Sequence, residues 1–322
     1  MSQTFENTYA PPLKGSSAIA QKRLYKAKLW RRVKPFVYLA PAIILLSVWM
    51  YKPLITTFYL AFHKWNMVPG TDKKFVGLEN FDKLFHNPAF LDSIGNTVFY
   101  TVGLLPFSIL IPLVLAVVTN NMNGRMKNFY RGIFFIPMIL APVSVSAIWR
   151  WLFHPSNGVI NHILLKMNLI DQPIAFFSDA NFAKWIILLI TGWKMIGFSV
   201  IMFSAALTGI NREYYEAAAI DGASGMRQFI NVTVPLMSPM IMFMMMMSIL
   251  FSSQWTFAYI DILTMGGPYG TSTNIYYEMY RFAFSNLNAG FSSAAALVFF
   301  FIFGVIALLM NAASRKLSFY DN

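Results

Sequence analysis

The chain has 322 residues, of which 57% are hydrophobic and only 12% are charged. Soluble domains carry about 25% charged residues, so this composition places the chain among membrane proteins. The absence of cysteine excludes a disulfide framework and a thiolate metal site. The formal net charge of +12 is typical of a membrane protein with basic cytoplasmic loops. A nucleic-acid partner is disfavoured, because no basic soluble domain is present to bind it.

Residues 1–35 form a basic tail in which Glu6 is the single acid. We expect no signal peptide, because the basic region is too long and no small-residue cleavage site follows it. The tail is interpreted as a solvated segment that sets topology. An amphipathic helix over residues 18–30, lying on anionic lipid, is the alternative.

Six stretches are long and apolar enough to cross a bilayer, which needs about 20 residues. They are roughly 36–62, 97–119, 130–153, 183–207, 232–257 and 291–313. Prolines interrupt several of them, which a bundle tolerates when neighbouring helices satisfy the backbone. The sequence therefore predicts an all-α membrane protein. Its six transmembrane helices occupy residues 36–313, between an N-terminal tail of 1–35 and a C-terminal tail of 314–322.

The distribution of Lys and Arg predicts the orientation of these spans. Basic residues dominate both tails and the loop after the second span, and the loop 211–235 carries Arg212 and Arg227, whereas acids balance bases in the other loops. The positive-inside rule therefore predicts that both termini and the loop 211–235 are cytoplasmic. The loops 64–95, 154–181 and 259–288 then face outward, and none is long enough for a large domain.

The loop 211–235 is unusually rich in charge and is predicted to be structured. Asn211 is a good N-cap, and Glu213 in the first turn complements the helix dipole. Gly222 is typical of the left-handed residue just past a helix end. A second short helix then leads to Pro235 in the first turn of the next span. We expect a helix–glycine–helix element lying along the cytoplasmic surface.

One surface of the first loop helix carries little side-chain bulk, because three alanines follow Glu216. Small residues let the backbone of a partner approach closely, and Glu216 is interpreted as a lone acid able to meet an Arg or a backbone donor. The alanines could equally be present for helix propensity alone. Composition does not decide between these interpretations.

The pattern Glu216-Ala217-Ala218, then Gly222, then residues 232–235 (VTVP), resembles the EAA loop of permease subunits in ATP-binding-cassette (ABC) importers. The extension over residues 220–223 (IDGA) resembles the carbohydrate-uptake branch, which includes maltose, glycerol-phosphate and alginate permeases. Segments 38–65, 75–85 and 134–161 and the sequence TMGGP at 264–268 are similar to that branch as well. The family usually has Ile and Leu where this chain has Val232 and Val234.

This resemblance implies that the loop helix is a coupling helix seated in a groove of a cytoplasmic ATPase subunit. The implied contact residues are Glu216, Ala217, Ala218, Asp221, Gly222 and Ala223. The implied partners are two copies of that ATPase, a second similar permease and an extracytoplasmic sugar-binding protein. The chain would reside in the bacterial inner membrane and import a sugar or oligosaccharide by alternating access.

The chain itself is not expected to be an enzyme or to bind a cofactor, because it lacks the nucleotide-binding motif G-x-x-x-x-G-K-[ST]. ATP and Mg²⁺ would be bound by the partner ATPase. No metal site is predicted.

A candidate substrate path lies along the fourth and fifth spans, where the resemblance also places it. A Lys at the bilayer centre costs about 2.5–3.5 kcal/mol, so Lys194 should face a partner or a water-filled cavity. Neighbouring polar and aromatic residues share its helix face or one face of the fifth span. The predicted set is Thr191, Lys194, Phe198, Ser248, Ser252, Trp255 and Tyr259. Alternatively, the serines join helices and the aromatics belong to the interfacial belt. If Lys194 lines the path, it would suit a uronate oligosaccharide or a sugar or glycerol phosphate, although it could equally bond a neutral hydroxyl.

Two other function classes are disfavoured. A secondary transporter or channel predicts intramembrane carboxylates or inverted repeats, and neither is evident. An intramembrane enzyme is disfavoured because the chain lacks a catalytic motif, and all four histidines lie at or outside span ends.

Two acids in the outer loop 259–288, Asp261 and Glu278, could contact the binding protein. The favoured interpretation is that they belong to a solvated loop.

Overall fold

The computed structural model describes residues 18–68 and 70–317, and these residues are mainly helical. Their contacts divide them into two compact units, one ending at Thr56 and the other beginning at Thr57. Within the described residues, five helices are long and apolar enough to cross a membrane, or six if one bent pair counts as a single span. With the bent pair counted as one span, the predicted fold of six transmembrane helices is confirmed.

The first span, Trp30–Ala61, consists of α1 (Ala18–Leu46), a π-helical turn (Ser47–Tyr51) and α2 (Lys52–Ala61). The backbone is already helical from Ala18, within the predicted basic tail. Residues 1–17 of that tail lie outside the described residues.

The second span, Pro88–Asn120, begins earlier than the predicted residue 97. The side chain of Asn87 accepts a hydrogen bond from the amide of Phe90 at 3.1 Å, and Pro88 occupies the first turn, where its missing N–H is not needed. The span comprises α4 (Pro88–Leu105), a π-helical turn (Pro106–Leu110) and α5 (Ile111–Asn120). The local capping signal therefore extends this helix beyond its apolar stretch.

The third predicted span is not one continuous helix, and this prediction is corrected. The structure has α6 (Gly124–Ile139) and α7 (Pro142–Leu152), which meet at 95°. Pro142 lacks an N–H and disfavours helical geometry in the residue before it, and Ala141 is accordingly extended with ψ 138°. The break leaves two residues without helical geometry inside an apolar stretch.

The fourth span, α9 (Ala183–Leu207), lies at the centre of the larger unit, since 61% of its most apolar 18-residue stretch is buried. It packs against α4, α5, α6 and the fifth span. A Cβ on Gly197 would lie 2.4 Å from the carbonyl oxygen of Phe134 in α6, so this close approach requires glycine. The prediction of α9 is confirmed with the same bounds.

The fifth span runs from Ser238 to Thr264 and the sixth from Ala289 to Arg315. The fifth span consists of α13 (Ser238–Tyr259) and a π-helical turn (Ile260–Thr264), and the sixth lies within α15 (Ala289–Leu317). The predicted start at residue 232 falls in a separate π-helical turn (Phe229–Thr233), followed by α12 (Val234–Leu236).

Short elements cover the two ends of the bundle. One end carries the strand pair β1 (His63–Lys64) and β2 (Lys74–Phe75), followed by α3 (Glu79–Phe85), α8 (Val159–Lys166) and α14 (Ile275–Tyr280), with a π-helical turn (Arg281–Ser285). The other end carries α10 (Arg212–Ile220) and α11 (Gly225–Gln228), because α9 leads into α10 and α13 follows α11.

Candidate functional site

The loop helix α10 begins at a side-chain cap, as predicted. Asn211 has extended backbone geometry, and its Oδ1 accepts a hydrogen bond from the amide of Glu213 at 3.2 Å. Its Nδ2 donates to the Glu213 carboxylate at 3.0 Å. The cap satisfies an amide that would otherwise lack a partner and fixes the first turn of the helix.

Gly222 lies just past the end of the helix, and its φ of +74° is left-handed. The amide of Ala223 donates to the carbonyl of Ala218 at 2.9 Å, and the amide of Gly222 donates to that of Ala219 at 3.0 Å. This is the Schellman arrangement, which satisfies the last carbonyls of a helix. The predicted glycine stop is therefore present, and it sets the direction of the chain into α11.

The predicted contact residues, here called the contact patch, lie in the second half of α10 and the turn that follows it; Ala218 and Ala223 are half-buried and the others are exposed. No residue of α10 is buried. Two large apolar side chains that sequence reasoning missed border the patch: Ile220 is 86% exposed and Met226 is 69% exposed. Apolar residues inside a polar loop were the signal that could have revealed them.

Glu216 is not a lone acid, and this part of the interpretation was wrong. Its Oε1 lies 3.0 Å from Nε of Arg212, one turn earlier in the helix. Both side chains are largely exposed, so the pair contributes only about 0.3–0.5 kcal/mol to helix stability. Glu216 therefore stays available to a partner at little cost.

A hydrogen bond connects α10 to the polypeptide that leads into the fifth span. The hydroxyl of Tyr215 lies 3.1 Å from Oγ1 of Thr233, which is 2% exposed. Beside this contact is a cavity of about 480 Å³ lined by residues from α5, α9, α10 and the following turns. The helix is thus attached at its base while its outer face stays open.

Lys194 lies half-buried on α9 and reaches the break in the third span. Its Nζ is 3.4 Å from the carbonyl oxygen of Leu140, which lies between α6 and α7. A carbonyl outside helical geometry needs a donor in an apolar environment, and Lys194 supplies one. The position of the amine satisfies the expectation that a cation in a span faces a polar partner.

The two predicted serines are fully buried between helices. Oγ of Ser108 donates to Oγ of Ser248 at 3.0 Å, and Oγ of Ser252 lies 2.7 Å from Oγ1 of Thr101. Both hydroxyls thus join α13 to the second span, which is the interhelical role weighed as their alternative. Thr191 is also buried and donates to the carbonyl of Ile187 at 2.8 Å.

Two of the predicted aromatic residues, Phe198 and Trp255, form a cluster with Phe251, which was not predicted, between α9 and α13. The rings of Phe251 and Trp255 stack with centroids 4.7 Å apart, and Phe198 meets them edge-on at 5.8 and 6.0 Å. Tyr259 is 1% exposed, and its hydroxyl has no hydrogen-bond partner among the described residues. The half-buried members of the predicted path are therefore Lys194, Phe198 and Trp255.

Gln254 was missed by sequence reasoning, although it directly precedes Trp255. Its side chain is exposed on α13 in the isolated chain, and an amide in an apolar span needs a hydrogen-bonding partner. The sequence feature that could have revealed Gln254 is a side-chain amide within the span segment 248–257 (SILFSSQWTF). It joins the candidates for contact with either a substrate or a second membrane subunit.

The interpretation of Glu278 as part of a solvated loop was wrong. Its side chain is 1% exposed, and one carboxylate oxygen lies 3.1 Å from Nη1 of Arg281. Burial raises the pKa of Glu278, and the neighbouring Arg281 opposes part of that rise. Asp261 is half-buried. Among the described residues, no group of three or more His, Cys, Asp or Glu is placed to hold a metal ion.

Comparison with known proteins decides the family. Residues 108–318 match the family described as the inner membrane component of binding-protein-dependent transport systems. The chain belongs to this family. It is thus a multi-pass inner-membrane protein and a permease subunit of a binding-protein-dependent ABC importer.

Individual relatives agree with this placement. The chain is 30% identical to the sn-glycerol-3-phosphate transport system permease protein UgpA of Pectobacterium atrosepticum, over 88% of this chain and 95% of that protein. A bacterial ABC transporter involved in the import of the acidic polysaccharide alginate superposes with a TM-score of 0.79 at 26% identity, covering 91% of this chain and 100% of that chain. A bacterial alginate transporter in complex with an alginate pentasaccharide-bound periplasmic protein gives a TM-score of 0.78 at 25% identity, covering 90% and 98%. The predicted resemblance to carbohydrate-uptake permeases is confirmed.

Proposed function

We propose that this permease is driven by a cytoplasmic ATPase subunit that binds α10. The observation that carries the proposal is the geometry of α10: a helix capped at both ends, with no buried residue, at one end of the bundle. Glu216, Ala217, Ala218, Asp221, Gly222 and Ala223 form the proposed contact. The exposed Ile220 and Met226 enlarge it, because apolar side chains gain free energy when a partner removes them from water.

The connections of α10 support its role in coupling. The helix follows α9 directly, and Tyr215 ties it to Thr233 ahead of α13. A displacement of α10 is therefore passed to the two spans that carry Lys194 and the aromatic cluster. ATP and Mg²⁺ are bound by two copies of the ATPase, and a second similar permease completes the membrane part. In this arrangement α10 and both termini are cytoplasmic, and α14 faces outward toward the binding protein.

The proposed cargo is an anionic carbohydrate or polyol. Two of the similar proteins belong to an sn-glycerol-3-phosphate transport system and to a transporter involved in the import of the acidic polysaccharide alginate, and both of these ligands are negatively charged. Lys194 supplies a positive charge on α9, and the cluster of Phe198, Phe251 and Trp255 supplies apolar ring surfaces beside it. Lys194, Phe198 and Trp255 line the proposed path. The buried Thr191, Ser248, Ser252 and Tyr259 stay part of the proposed path only if the helices separate during transport.

The coupling role is tested with a pair of substitutions in the reconstituted transporter. Glu216→Ala and Arg212→Ala both remove the same exposed ion pair, so both lose the contribution of about 0.3–0.5 kcal/mol that this pair makes. Only Glu216→Ala removes the proposed ATPase contact, and it should lower ATP-driven transport at least about tenfold, as for loss of an interface hot spot. Equal transport by the two variants would contradict the assignment. ATP-independent transport by the purified permease would favour a secondary transporter or channel instead.

The cargo is tested at Lys194 with neutral and acidic oligosaccharides of matched length. Lys194→Gln keeps a donor for the Leu140 carbonyl but removes the charge, whereas Lys194→Met removes both. Import of the acidic substrate should fall in both variants, and import of the neutral one only in Lys194→Met. A Gln variant that imports the acidic substrate at the wild-type rate would refute an acidic cargo bound by Lys194.

A further inference from the structure

The loop between the fifth span and α14 contains two large residues with strained backbone angles and exposed side chains. Met265 has φ +49° and is 75% exposed, and Tyr269 has φ +52° and is 99% exposed. Left-handed geometry is unfavourable for such residues and persists only where the surroundings impose it. Strained backbone clusters at ligand-binding and switch regions, and Tyr is enriched among the residues that contribute most to protein interfaces.

Several hydrogen bonds hold this loop in place. Oγ of Ser272 donates to the carbonyl of Gly267 at 2.7 Å, and the hydroxyl of the buried Tyr100 donates to the carbonyl of Ser272 at 3.0 Å. Nδ2 of Asn96 in α4 donates to the carbonyl of Gly270 at 3.3 Å. The backbone around Tyr269 is therefore held by α4, so a partner would have to order only the side chain of Tyr269.

An acidic cavity of about 340 Å³ lies beside Tyr269, and Asp92, Glu278 and Arg281 contribute its charged lining. Two carboxylates face one guanidinium, which leaves one negative charge in excess. Glu278 is 1% exposed; its Oε2 is paired with Arg281 at 3.1 Å. Its Oε1 is buried and has no hydrogen-bond partner among the described residues. An unpartnered buried acceptor is costly, and a cationic donor would satisfy it.

We propose that this cavity receives a Lys or Arg side chain of the extracytoplasmic binding protein, with Tyr269 packing against the same partner. The proposal rests on the proposed function, because it assumes that α14 faces the binding protein. The excess negative charge and the unpartnered oxygen select a basic group, and a Tyr next to a buried charge contact is a common hot-spot arrangement. A bare metal ion fits less well, because Arg281 already occupies one carboxylate.

The test uses the complete transporter in proteoliposomes with its own binding protein, and follows ATP hydrolysis as the binding-protein concentration is raised. Asp92→Asn and Tyr269→Ala should raise the half-saturating concentration about tenfold, with the maximal rate unchanged, since only docking is weakened. Asp171→Asn is the matched control, because it removes an exposed acid at the same end of the bundle that does not line the cavity. A half-saturating concentration equal in Asp92→Asn and Asp171→Asn would overturn the proposal.

The basic partner is identified by charge exchange. Asp92→Lys should weaken stimulation further, and one basic-to-acidic substitution on the binding protein should restore it. Failure of every such exchange to restore stimulation would overturn the assignment of a basic side chain. Wild-type transporter that shows no stimulation by the binding protein would instead refute the proposed function, so the two failures are distinguishable.

Discussion

The end of α10 offers a substitution whose cost is set by backbone geometry alone. Gly222 has φ +74°, and a Cβ built there meets no atom within 4 Å. Gly222→Ala therefore adds no clash, and its penalty is the left-handed conformation of a residue with a Cβ, roughly 1 kcal/mol. The hydrogen bond from Ala223 to the carbonyl of Ala218, 2.9 Å long, depends on this conformation.

This penalty should appear as faster local opening. A loss of about 1 kcal/mol multiplies the open population roughly fivefold, since 1.4 kcal/mol corresponds to a factor of ten. Hydrogen exchange of the Ala223 amide, followed by mass spectrometry on the purified permease without its ATPase, should therefore be about fivefold less protected in Gly222→Ala. The amides of α9 should be unaffected, because no packing contact is changed.

Gly225 supplies the control for this experiment. It lies three residues later, a Cβ there also meets no atom within 4 Å, and its φ is not left-handed. Gly225→Ala should leave protection unchanged or raise it slightly, because it reduces the freedom of the unfolded chain by about 0.4–1 kcal/mol. Equal loss of protection in the two variants would refute the argument, since steric freedom is the same at both positions and only the backbone angle differs.

Two further predictions concern the end of the bundle that carries α14. A Cβ at Gly290 would lie 1.9 Å from a backbone oxygen, whereas one at Gly304 on the same helix meets nothing within 4 Å. Gly290→Ala should thus lower thermal stability in detergent by roughly 1–3 kcal/mol, and Gly304→Ala should not; similar melting temperatures would contradict the packing argument. Burial raises the pKa of Glu278 above its ordinary value of 4.5, so the stability it contributes is present below that value and is lost as pH rises through the folded-state pKa. The melting temperature of Glu278→Gln relative to wild type should therefore increase from about pH 4 to about pH 8, and a constant difference would refute the assignment.

The loop helix α10 was predictable because its signals are local. The Asn211 cap and the left-handed Gly222 each depend on residues within a turn of them, and the structure has both where the sequence indicates. The pairing of Glu216 with Arg212 was missed, although i,i+4 spacing predicts it. Interpreting Glu216 only as a contact for a partner obscured the neighbour four residues before it.

The break in the third span was not predictable, because proline has different effects in different spans. Pro106 begins a π-helical turn inside a span that continues to Asn120, whereas Pro142 separates two helices by 95°. Both lie in apolar stretches of similar length. The difference arises from what surrounds the freed backbone groups, and that information comes from residues distant in the sequence.

Lys194 shows how that distant information acts. A lone ammonium in a span and a carbonyl without a helical donor are each unfavourable in an apolar environment. In the structure they lie 3.4 Å apart, so each reduces the cost of the other, although 54 residues separate them. The sequence indicates that Lys194 needs a polar partner, and a substrate was the natural candidate. A backbone oxygen already fills that need at the limit of hydrogen-bonding distance. The anionic cargo that we propose would therefore displace only a weak contact, as reversible binding along a path requires.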